Sequence, residues 1–521
     1  MKPLLLLVFC LISLPVMFYL SEHRSMSSVV WLQGISVTLH QENSRTPNKQ
    51  TDKFIGGLLS PSFDEESCLS RYRSALFRKD SPHLPSSYLI ERLRKYEELH
   101  KKCGPNTPLY HKSIIQLNLG QSIELMDCNY LVWTPFNGLG NRMLTIASAF
   151  LYAVLTNRVL LIHQTVDMVD LFCEPFPDST WILPPDFPIK NLTKLYQGSE
   201  TSYGNMLKNK RIKDDVSVPS NSLPAYVYLH LEHDYQHLDK FFFCEKDQVI
   251  LQKINWLLLQ SDIYFVPGLF LVPQFEDELR WMFPAKETVF HHLGRYLFHP
   301  TNTVWGMITR YHTAYLAGSD ERIGIQVRVF SRNPISAENY LKQILMCSQQ
   351  ENLLPEINMN RTLNPTKSTM KSKAVLITSL YPEYSEKLKS MYYEHTTVTG
   401  ETVSVNQPTH EVQQQTERQF HNQKALAEMY LLSYCDVLIT TGWSTFGYIG
   451  QGLAGLKPWI LLTPRDQKPA DPPCTRAVSM EPCFQVPPTY DCRAKKNADL
   501  GALVRHVTHC EDVEQGIKLV D

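Results

Sequence analysis

The sequence predicts an α/β fold built from two halves, and the first indication is a strand–helix–strand pattern. Short apolar strands are predicted at 130–133 and 158–163. Between them lie a loop with Gly138 and Gly140 and a strongly apolar helix at 143–155. Strands that are apolar throughout are typical of parallel sheets covered on both faces, so this βαβ unit indicates a buried parallel sheet.

A second set of short β-rich runs, separated by helical segments, follows along the chain. The runs lie at 324–330, 374–378, 436–440 and 458–462. The clearest helix among them is predicted at 425–434. We therefore expect two α/β halves joined near 316–323. Ligands of open α/β sheets bind beyond the carboxyl ends of the strands, so residues just after these strands are the first candidates for a site.

The N-terminus predicts a membrane anchor. Residues 3–20 form an apolar run that is interrupted only by Ser13 and Pro15, and about 20 such residues cross a bilayer. We expect an uncleaved signal-anchor at 1–20 with the rest of the chain in the lumen, and a cleaved signal peptide is the alternative. The polar, aperiodic stretch at 21–62 is predicted to be a stem.

The cysteines indicate an oxidising compartment. Of the twelve cysteines, all except Cys10 lie beyond the predicted anchor, and no C-x-x-C pair suggests a zinc ribbon or a redox site. The odd number left outside the anchor implies that at least one thiol is free or bonded to another chain. Four cysteines in a proline-rich stretch predict a disulfide-rich tail; they are Cys474, Cys483, Cys492 and Cys510.

Composition narrows the classes of function. The net charge is −1 with Lys and Arg scattered along the chain, so the basic surface that nucleic acids require is not visible. No Asp-x-Asp occurs, although many enzymes that use nucleotide sugars hold a divalent metal with such paired carboxylates. We therefore expect no metal, and stabilisation of a leaving group by Arg and helix dipoles. Sequons at Asn191 and Asn360 are compatible with glycosylation.

Two loops after predicted strands are candidate binding segments. In NGLGNR (137–142), the glycines allow a ligand to approach the backbone at a helix start, and a tight turn without ligand is the alternative. In TTGWSTFG (440–447), hydroxyl groups and backbone N–H groups at a helix start form a phosphate cradle. Simple N-capping by Ser444 or Thr445 is the alternative there.

The segment GIQVRVF (324–330) carries a candidate cation. Alternation along the predicted strand places Gln326 and Arg328 on one face. An arginine on a strand that is otherwise apolar suits a diphosphate, and a buried Arg–carboxylate pair is the alternative. Adjacent histidines rarely share a metal, so His291, His292 and His299 are expected in structural or polar-lining roles.

Five motifs together resemble one known family. They are NGLGNRM (137–143), SDIYFVP (261–267), FHHLGRYLFHPTN (290–302), GIQVRVF (324–330) and WSTFGY (443–448). From about Cys68 to Val520 the chain resembles the plant xyloglucan-type α-1,2-fucosyltransferases of glycosyltransferase family 37. The resemblance implies a variant GT-B fold of two Rossmann-like domains with a cleft between them. It also implies GDP-fucose as donor, inversion at the anomeric carbon and no metal cofactor.

The resemblance implies roles for individual residues. Arg328 would bind the β-phosphate of GDP as a catalytic residue, and Asp262 would face the acceptor galactose, where a carboxylate can serve as a base. The donor site would be lined by Ser379, Trp443, Ser444, Thr445 and Phe446. The cleft on the acceptor side would hold Asn141, Arg142, His292 and Arg295. Gln326 stands where more distant fucosyltransferases have His.

The resemblance also implies a domain plan and a location. After the anchor at 1–20 and the stem at 21–62, an acceptor-side domain would span 63–318 and a GDP-fucose domain with the disulfide-rich tail 319–521. The expected protein is a single-pass type II Golgi enzyme of cell-wall biogenesis that adds fucose to the 2-hydroxyl of a galactose on xyloglucan. Arabinogalactan glycans as acceptors, another nucleotide sugar as donor, and a non-catalytic Golgi glycan-binding partner are the alternatives. A homodimer is left open.

Overall fold

The computed structural model describes residues 52–79, 81–123, 126–213, 215–330, 335–359, 371–462, 464, 468–492 and 496–521. The predicted anchor, nearly all of the predicted stem and the sequon at Asn360 lie outside these residues. Within the described part of the chain, no helix combines the length and the apolar character that a membrane span requires.

Helices and parallel strands alternate along the chain, as the sequence predicts. The helices are Leu69–Arg73 (α1), Ser87–Cys103 (α2), Pro108–Asn118 (α3), Leu139–Leu155 (α4), Tyr203–Lys208 (α5), Glu245–Gln252 (α6), Val266–Leu269 (α7), Glu276–Met282 (α8), Val289–Leu297 (α9), Asn302–Tyr315 (α10), Ala337–Gln350 (α11), Glu383–Glu394 (α12), Gln419–Ser433 (α13) and Thr445–Ala454 (α14). The strands are Asn129–Thr134 (β1), Arg158–Ile162 (β2), Tyr226–Leu231 (β3), Trp256–Ser261 (β4), Glu321–Val327 (β5), Ser372–Ser379 (β6), Thr402–Asn406 (β7), Val437–Thr441 (β8), Trp459–Leu461 (β9), Cys474–Arg476 (β10), Tyr490–Asp491 (β11), Lys496–Asn497 (β12), Val507–His509 (β13) and Ile517–Leu519 (β14).

Local sequence signals set several helix boundaries. Ser86 and Thr107 each accept a hydrogen bond from the backbone N–H three residues further on, and so begin α2 and α3. Ser336 does the same for α11. Gly455, with φ +75°, ends α14 in the left-handed conformation that glycine adopts without strain.

The first sheet has the order β2-β1-β4-β3, and all of its pairs are parallel. The chain builds outward from β1 to β2 on one side and places β4 and β3 on the other. The order therefore reverses between the neighbouring strands β1 and β4. Ligands of such sheets bind at the carboxyl ends of the strands where the order reverses.

The second sheet has the order β10-β9-β8-β5-β6-β7 and is parallel except for the antiparallel edge strand β10. Strands β6 and β7 follow β5 on one side, and β8 and β9 lie on the other. The order therefore reverses between β5 and β8. The mixed α/β fold with parallel sheets is confirmed, and the domain boundary near residue 318 stays a prediction.

One hydrophobic core spans residues before and after residue 318. Helix α14 packs against α4 and α9, and α13 packs against α10. Buried side chains of this core include Phe150 on α4, Phe290 on α9 and Leu453 on α14. Helices that connect strands of the second sheet thus pack on helices from before residue 318, and this packing fixes the relative position of the two sheets.

Five disulfides join cysteines in the described part of the chain, and they only partly match the expected tail. The pairs are Cys68–Cys173, Cys103–Cys128, Cys244–Cys492, Cys347–Cys474 and Cys483–Cys510. Only the last lies wholly in the tail, because Cys474 and Cys492 bridge to earlier parts of the fold. The unpaired thiol required by the odd number is Cys435, which is buried.

The sequence predicted six of these strands (β1, β2, β5, β6, β8 and β9), the helices α4 and α13 and the start of α14, with shifted ends. The predicted helix at 143–155 begins earlier, at Leu139, and the predicted strand at 324–330 ends at Val327. Strands β3 and β4 were not predicted, although YVYLHL and WLLLQS are apolar runs. The missed strands complete the first sheet.

The first prediction concerns Glu481, which joins the C-terminal tail to the first half. Its carboxylate accepts hydrogen bonds from the Tyr264 hydroxyl and the Phe290 N–H, each at 2.7 Å. Burial raises the pKa of Glu481 from the ordinary 4.5 to about 8. A raised carboxyl pKa means that the fold favours the protonated form, so this contribution to stability is complete below pH 4.5 and is lost as pH rises towards 8.

Glu481→Gln keeps the shape of the protonated form without titrating. Between pH 5.5 and 8, we expect the wild-type free energy of unfolding to fall relative to that of the variant by up to about 1.4 kcal/mol per pH unit. Thermal denaturation of both proteins across this range measures the difference. If the free energy of unfolding changes with pH by the same amount in both proteins, the Glu481 carboxyl does not change its protonation on folding.

Candidate active site

A cavity of about 630 Å³ opens where the carboxyl ends of the two sheets meet, and this volume is typical of sites for small molecules. One wall is formed by the loop after β1. The others are formed by residues at or after the ends of β5, β6, β7 and β8, by α13, and by Gln485 of the C-terminal tail. The residues that line the cavity are Gly138, Leu139, Gly140, Asn141, Gln326, Val327, Arg328, Phe330, Thr378, Ser379, Leu380, Thr409, Glu411, Gln414, His421, Asn422, Lys424, Ala425, Glu428, Met429, Trp443, Ser444, Thr445, Phe446 and Gln485.

The loop after β1 touches the helix start on the opposite wall. The Thr445 hydroxyl donates to Asn141 Oδ1 at 3.1 Å. A Cβ atom on Gly140 would lie 2.7 Å from Thr445 Oγ1 and 3.2 Å from the Phe446 nitrogen. The backbones of the two walls therefore approach more closely than any side chain at position 140 would allow.

Gln326 and Thr441 hold the ends of β5 and β8 together. The Thr441 N–H donates to the Gln326 side-chain oxygen at 3.2 Å, and the Thr441 hydroxyl donates to the Gln326 carbonyl at 3.1 Å. The same hydroxyl oxygen accepts from the Arg328 N–H at 3.0 Å. These contacts fix the backbone of Arg328 just beyond the end of β5.

Arg328 brings a positive charge into the cavity. Its Nη2 donates to Gln414 Oε1 at 2.9 Å, and burial lowers its pKa. An arginine remains protonated at physiological pH even after such a shift. Among the described residues, no carboxylate lies within ion-pair distance of its guanidinium. The alternative of a buried Arg–carboxylate pair thus finds no support in the described part of the chain.

Two helices begin at the cavity. Helix α4 starts at Leu139 after Gly138, and α14 starts at Thr445 after Ser444. The first N–H groups of a helix have no partners within it, and the helix dipole makes this end partly positive. Ser444 makes no side-chain capping bond to α14, so simple N-capping does not account for its presence. Together with Arg328, the helix starts favour an anionic group.

The loop before α14 is held by the C-terminal tail. Trp443 adopts a positive φ of 65°, and its N–H donates to Asp512 Oδ2 at 2.7 Å. The Tyr448 hydroxyl donates to the same carboxylate oxygen at 2.6 Å. The Trp443 ring lies 6.1 Å from that of Phe330, centroid to centroid. The two aromatic rings therefore border the cavity on one side.

The structure brings most of the predicted site residues together, and their roles stay predictions. Those that line the cavity are Asn141, Arg328, Ser379, Trp443, Ser444, Thr445 and Phe446. Arg328 lies one residue past β5 rather than within a strand, because β5 ends at Val327.

Three predicted cleft residues do not reach the cavity. Arg142 is buried, forms an ion pair with Asp167 and donates to the Asn137 carbonyl at 2.9 Å. Arg295 is buried on α9 and donates to the Leu453 carbonyl at 3.0 Å, at the end of α14. His292 is buried on the same helix, and burial lowers its pKa to about 3. Of these contacts, the one made by Arg295 joins α9 to the end of α14.

Asp262 lies behind the cavity wall. It follows β4, its side chain is buried, and it does not line the cavity. Its backbone carbonyl accepts from Asn141 Nδ2 at 2.8 Å, and its carboxylate accepts from Asn137 Nδ2 at 2.8 Å. His233 supplies two further contacts to the carboxylate, from its N–H at 2.9 Å and from Nδ1 at 2.7 Å.

The polar groups on and before α13 were not predicted from the sequence. Gln414 contacts Arg328, and Glu411 pairs with Lys424. Burial raises the pKa of Glu428 to about 8, and the Thr409 hydroxyl donates to its carboxylate at 2.6 Å. A single Glu within ALAEMYLL was a signal for a polar group on a buried helix face, whereas no pattern marked Gln414 in its loop.

A histidine–carboxylate group lies at the end of β3. Atoms of His230, Glu232 and Asp234 that could bind a metal lie within 4.8 Å of one another. Both ring nitrogens of His230 already have partners, because Nε2 lies 2.8 Å from Asp234 Oδ1 and Nδ1 lies 3.0 Å from the Tyr228 hydroxyl. These residues therefore form a hydrogen-bond network at the edge of the first sheet.

Comparison with known proteins gives the family. The family model described as xyloglucan fucosyltransferase matches residues 26–493. The chain belongs to the xyloglucan fucosyltransferase family. The resemblance deduced from the sequence motifs is thereby confirmed.

Relatives in this xyloglucan fucosyltransferase family are similar over nearly their whole length. A galactoside 2-alpha-L-fucosyltransferase of Pisum sativum is 54% identical over 498 residues, which are 95% of this chain and 87% of the relative. One of Arabidopsis thaliana is 55% identical over 474 residues, 91% and 84% of the two chains. The structure of an Arabidopsis thaliana FUT1 variant in complex with GDP is 54% identical, covers 90% of this chain and 100% of its own, and superimposes with a TM-score of 0.84.

The close approach at Gly140 generates the second prediction. Gly140→Ala would push Thr445 and Phe446 away from the loop, because the added Cβ atom meets backbone atoms that cannot rotate aside. We expect a loss of about 1–3 kcal/mol in the free energy of unfolding, as for other overpacked sites. Gly318→Ala is the matched control, since nothing lies within 4 Å of a Cβ atom there. Equal stabilities of the two variants in chemical denaturation would contradict the close contact.

Proposed function

We propose that this protein transfers L-fucose from GDP-fucose to the 2-hydroxyl of a terminal galactose on xyloglucan, with inversion and without a metal ion. The proposal depends on the position of the Arg328 guanidinium. This group has no carboxylate partner among the described residues, and it lies beside two helix starts in one cavity. Membership of the xyloglucan fucosyltransferase family supports this activity and substrate. The GDP bound in the related Arabidopsis structure supports the choice of nucleotide.

The reaction requires the protein to stabilise the diphosphate as it leaves. When the bond between fucose C1 and the phosphate oxygen breaks, negative charge grows on the GDP β-phosphate. Arg328 would bind that phosphate, and the first N–H groups of α14 would donate to it. Ser379, Trp443, Ser444 and Phe446 would complete the donor site. Because these donors are in place before reaction, they favour the transition state with little rearrangement.

The finer architecture and location belong to the same proposal. Two parallel sheets that face each other across a cavity support a variant GT-B arrangement of two Rossmann-like domains, with the acceptor on the side of β1–β4 and the donor on that of β5–β9. Five disulfides support folding in the secretory pathway. We infer a type II Golgi membrane protein held by residues 1–20, and glycosylation at Asn191, which is exposed.

The third prediction tests the reaction itself. Purified luminal protein should transfer fucose from GDP-fucose to galactosylated xyloglucan oligosaccharides in the presence of EDTA, with the product detected by mass spectrometry. Arabinogalactan oligosaccharides and a panel of other nucleotide sugars serve as parallel arms. Transfer only to arabinogalactan, only from another donor, or only with added metal would each overturn the corresponding part of the proposal. GDP binding without any transfer would favour a non-catalytic partner.

The fourth prediction concerns Arg328. A charge-assisted hydrogen bond contributes about 1.5–3 kcal/mol, so Arg328→Ala should weaken GDP binding about 10- to 100-fold and abolish most transfer. The melting temperature should stay near that of wild type, because no described carboxylate would lose an ion pair. Arg280→Ala is the control, since that arginine pairs with Asp277 on an exposed face of α8. Unchanged GDP affinity, or unfolding of the Arg328 variant, would argue for a structural role.

A further inference from the structure

The structure shows why the carboxylate of Asp262 cannot meet an acceptor hydroxyl directly. Its side chain is only 4% exposed, and both of its oxygens already accept hydrogen bonds. Oδ1 accepts from the His233 N–H at 2.9 Å. Oδ2 lies 2.8 Å from Asn137 Nδ2 and 2.7 Å from His233 Nδ1. An acceptor could reach this carboxylate only if those contacts were broken.

His233 presents the other end of this pair to solvent. Its side chain is 60% exposed, although its Nδ1 contacts a buried carboxylate. A carboxylate at Nδ1 favours the tautomer in which that nitrogen carries the proton and Nε2 is the acceptor. Within the described part of the chain, Nε2 has no hydrogen-bond partner. The pair therefore offers an oriented, accessible imidazole nitrogen.

Contacts on two sides connect the loop of His233 to residues that line the cavity or adjoin them, although His233 itself does not line it. Asp262, its partner, is bonded through its backbone carbonyl to Asn141, which lines the cavity. Two residues after His233, the Tyr235 hydroxyl donates at 2.6 Å to the carbonyl of Val486. Gln485, the residue before Val486, lines the cavity. His233 thus lies on the first-sheet side, where the proposed function requires the acceptor.

We propose that His233 is the catalytic base of the transfer, held by Asp262 as a positioning residue. This inference rests on the proposed function. The galactose 2-hydroxyl gives its proton to His233 Nε2 while its oxygen forms the bond to fucose C1. The bond from C1 to the phosphate oxygen breaks, and its electron pair leaves with GDP. The imidazolium then releases the proton to solvent, and Asp262 keeps its own charge throughout.

The charges around His233 suit this role. The titratable groups near His233 are Asp262, which follows β4, and His230, Glu232 and Asp234, which lie on β3 or in the loop after it. The facing tail segment 485–487 has no titratable group. Burial, followed by the charges of Asp262 and Asp234, raises the pKa of the Glu232 carboxyl to about 8. Glu232 is therefore mostly neutral near pH 7, and the carboxylates of Asp262 and Asp234 supply the negative charge that stabilises an imidazolium as it forms.

The deciding variant is His233→Asn. The asparagine side-chain nitrogen can take the place of Nδ1 and keep the bond to Asp262, but nothing replaces Nε2. Loss of a general base costs about 10²- to 10⁴-fold, so we expect kcat to fall at least about 100-fold. GDP affinity and melting temperature should match wild type, and the acid limb of the pH profile of kcat/KM should disappear. His111→Asn, on the exposed face of α3, is the control and should behave as wild type.

Two other outcomes for these variants would overturn the inference that His233 is the base. If His233→Asn keeps a kcat near that of wild type, or keeps the acid limb, His233 is not the base. If only Asp262→Asn is inactive, the base is Asp262 itself. These results presuppose that wild-type protein transfers fucose. If wild type binds GDP but transfers nothing to any galactosylated acceptor, the proposed function fails instead.

Discussion

The close contact between the loop after β1 and the start of α14 is the constraint on which the site depends. A glycine at position 140 lets the two backbones meet, and the bond between Asn141 and Thr445 fixes their spacing. Behind this contact, α14 packs on α4 and α9 within one core. The carboxyl edges of both sheets therefore face one cavity at a fixed distance. Every group argued to bind or react takes its position from that arrangement.

The uncompensated charge of Arg328 follows from the same arrangement. Its backbone is fixed by Thr441 at the reversal point of the second sheet, and its guanidinium is held by a neutral partner, Gln414. A carboxylate partner would have neutralised the charge that a diphosphate requires. Instead, two helix starts add partial positive charge to the same cavity. The cavity is thus built to receive an anion before any ligand enters.

Much of this could be predicted from the sequence, because local patterns carry it. Apolar strands and the apolar helix α4 identified the fold class, and the three candidate segments at strand ends contain 12 of the 25 residues that line the cavity. What local patterns could not give are contacts between distant residues. Arg142 and Arg295 were expected in the cleft, but each finds partners on another helix or loop. The pairing of His233 with Asp262 and that of Gln414 with Arg328 join segments whose proximity no local pattern records.

The two sheet edges differ in charge, and the difference matches the direction of the proposed reaction. The second edge offers Arg328 and a helix start, where a leaving group gains negative charge. The first edge has the carboxylates of Asp262 and Asp234 near His233, where a proton must be accepted and a positive charge develops. An inverting transfer needs attack and departure on opposite faces of the sugar. Two edges that face each other, one positive and one negative, provide that separation within a single cavity and its mouth.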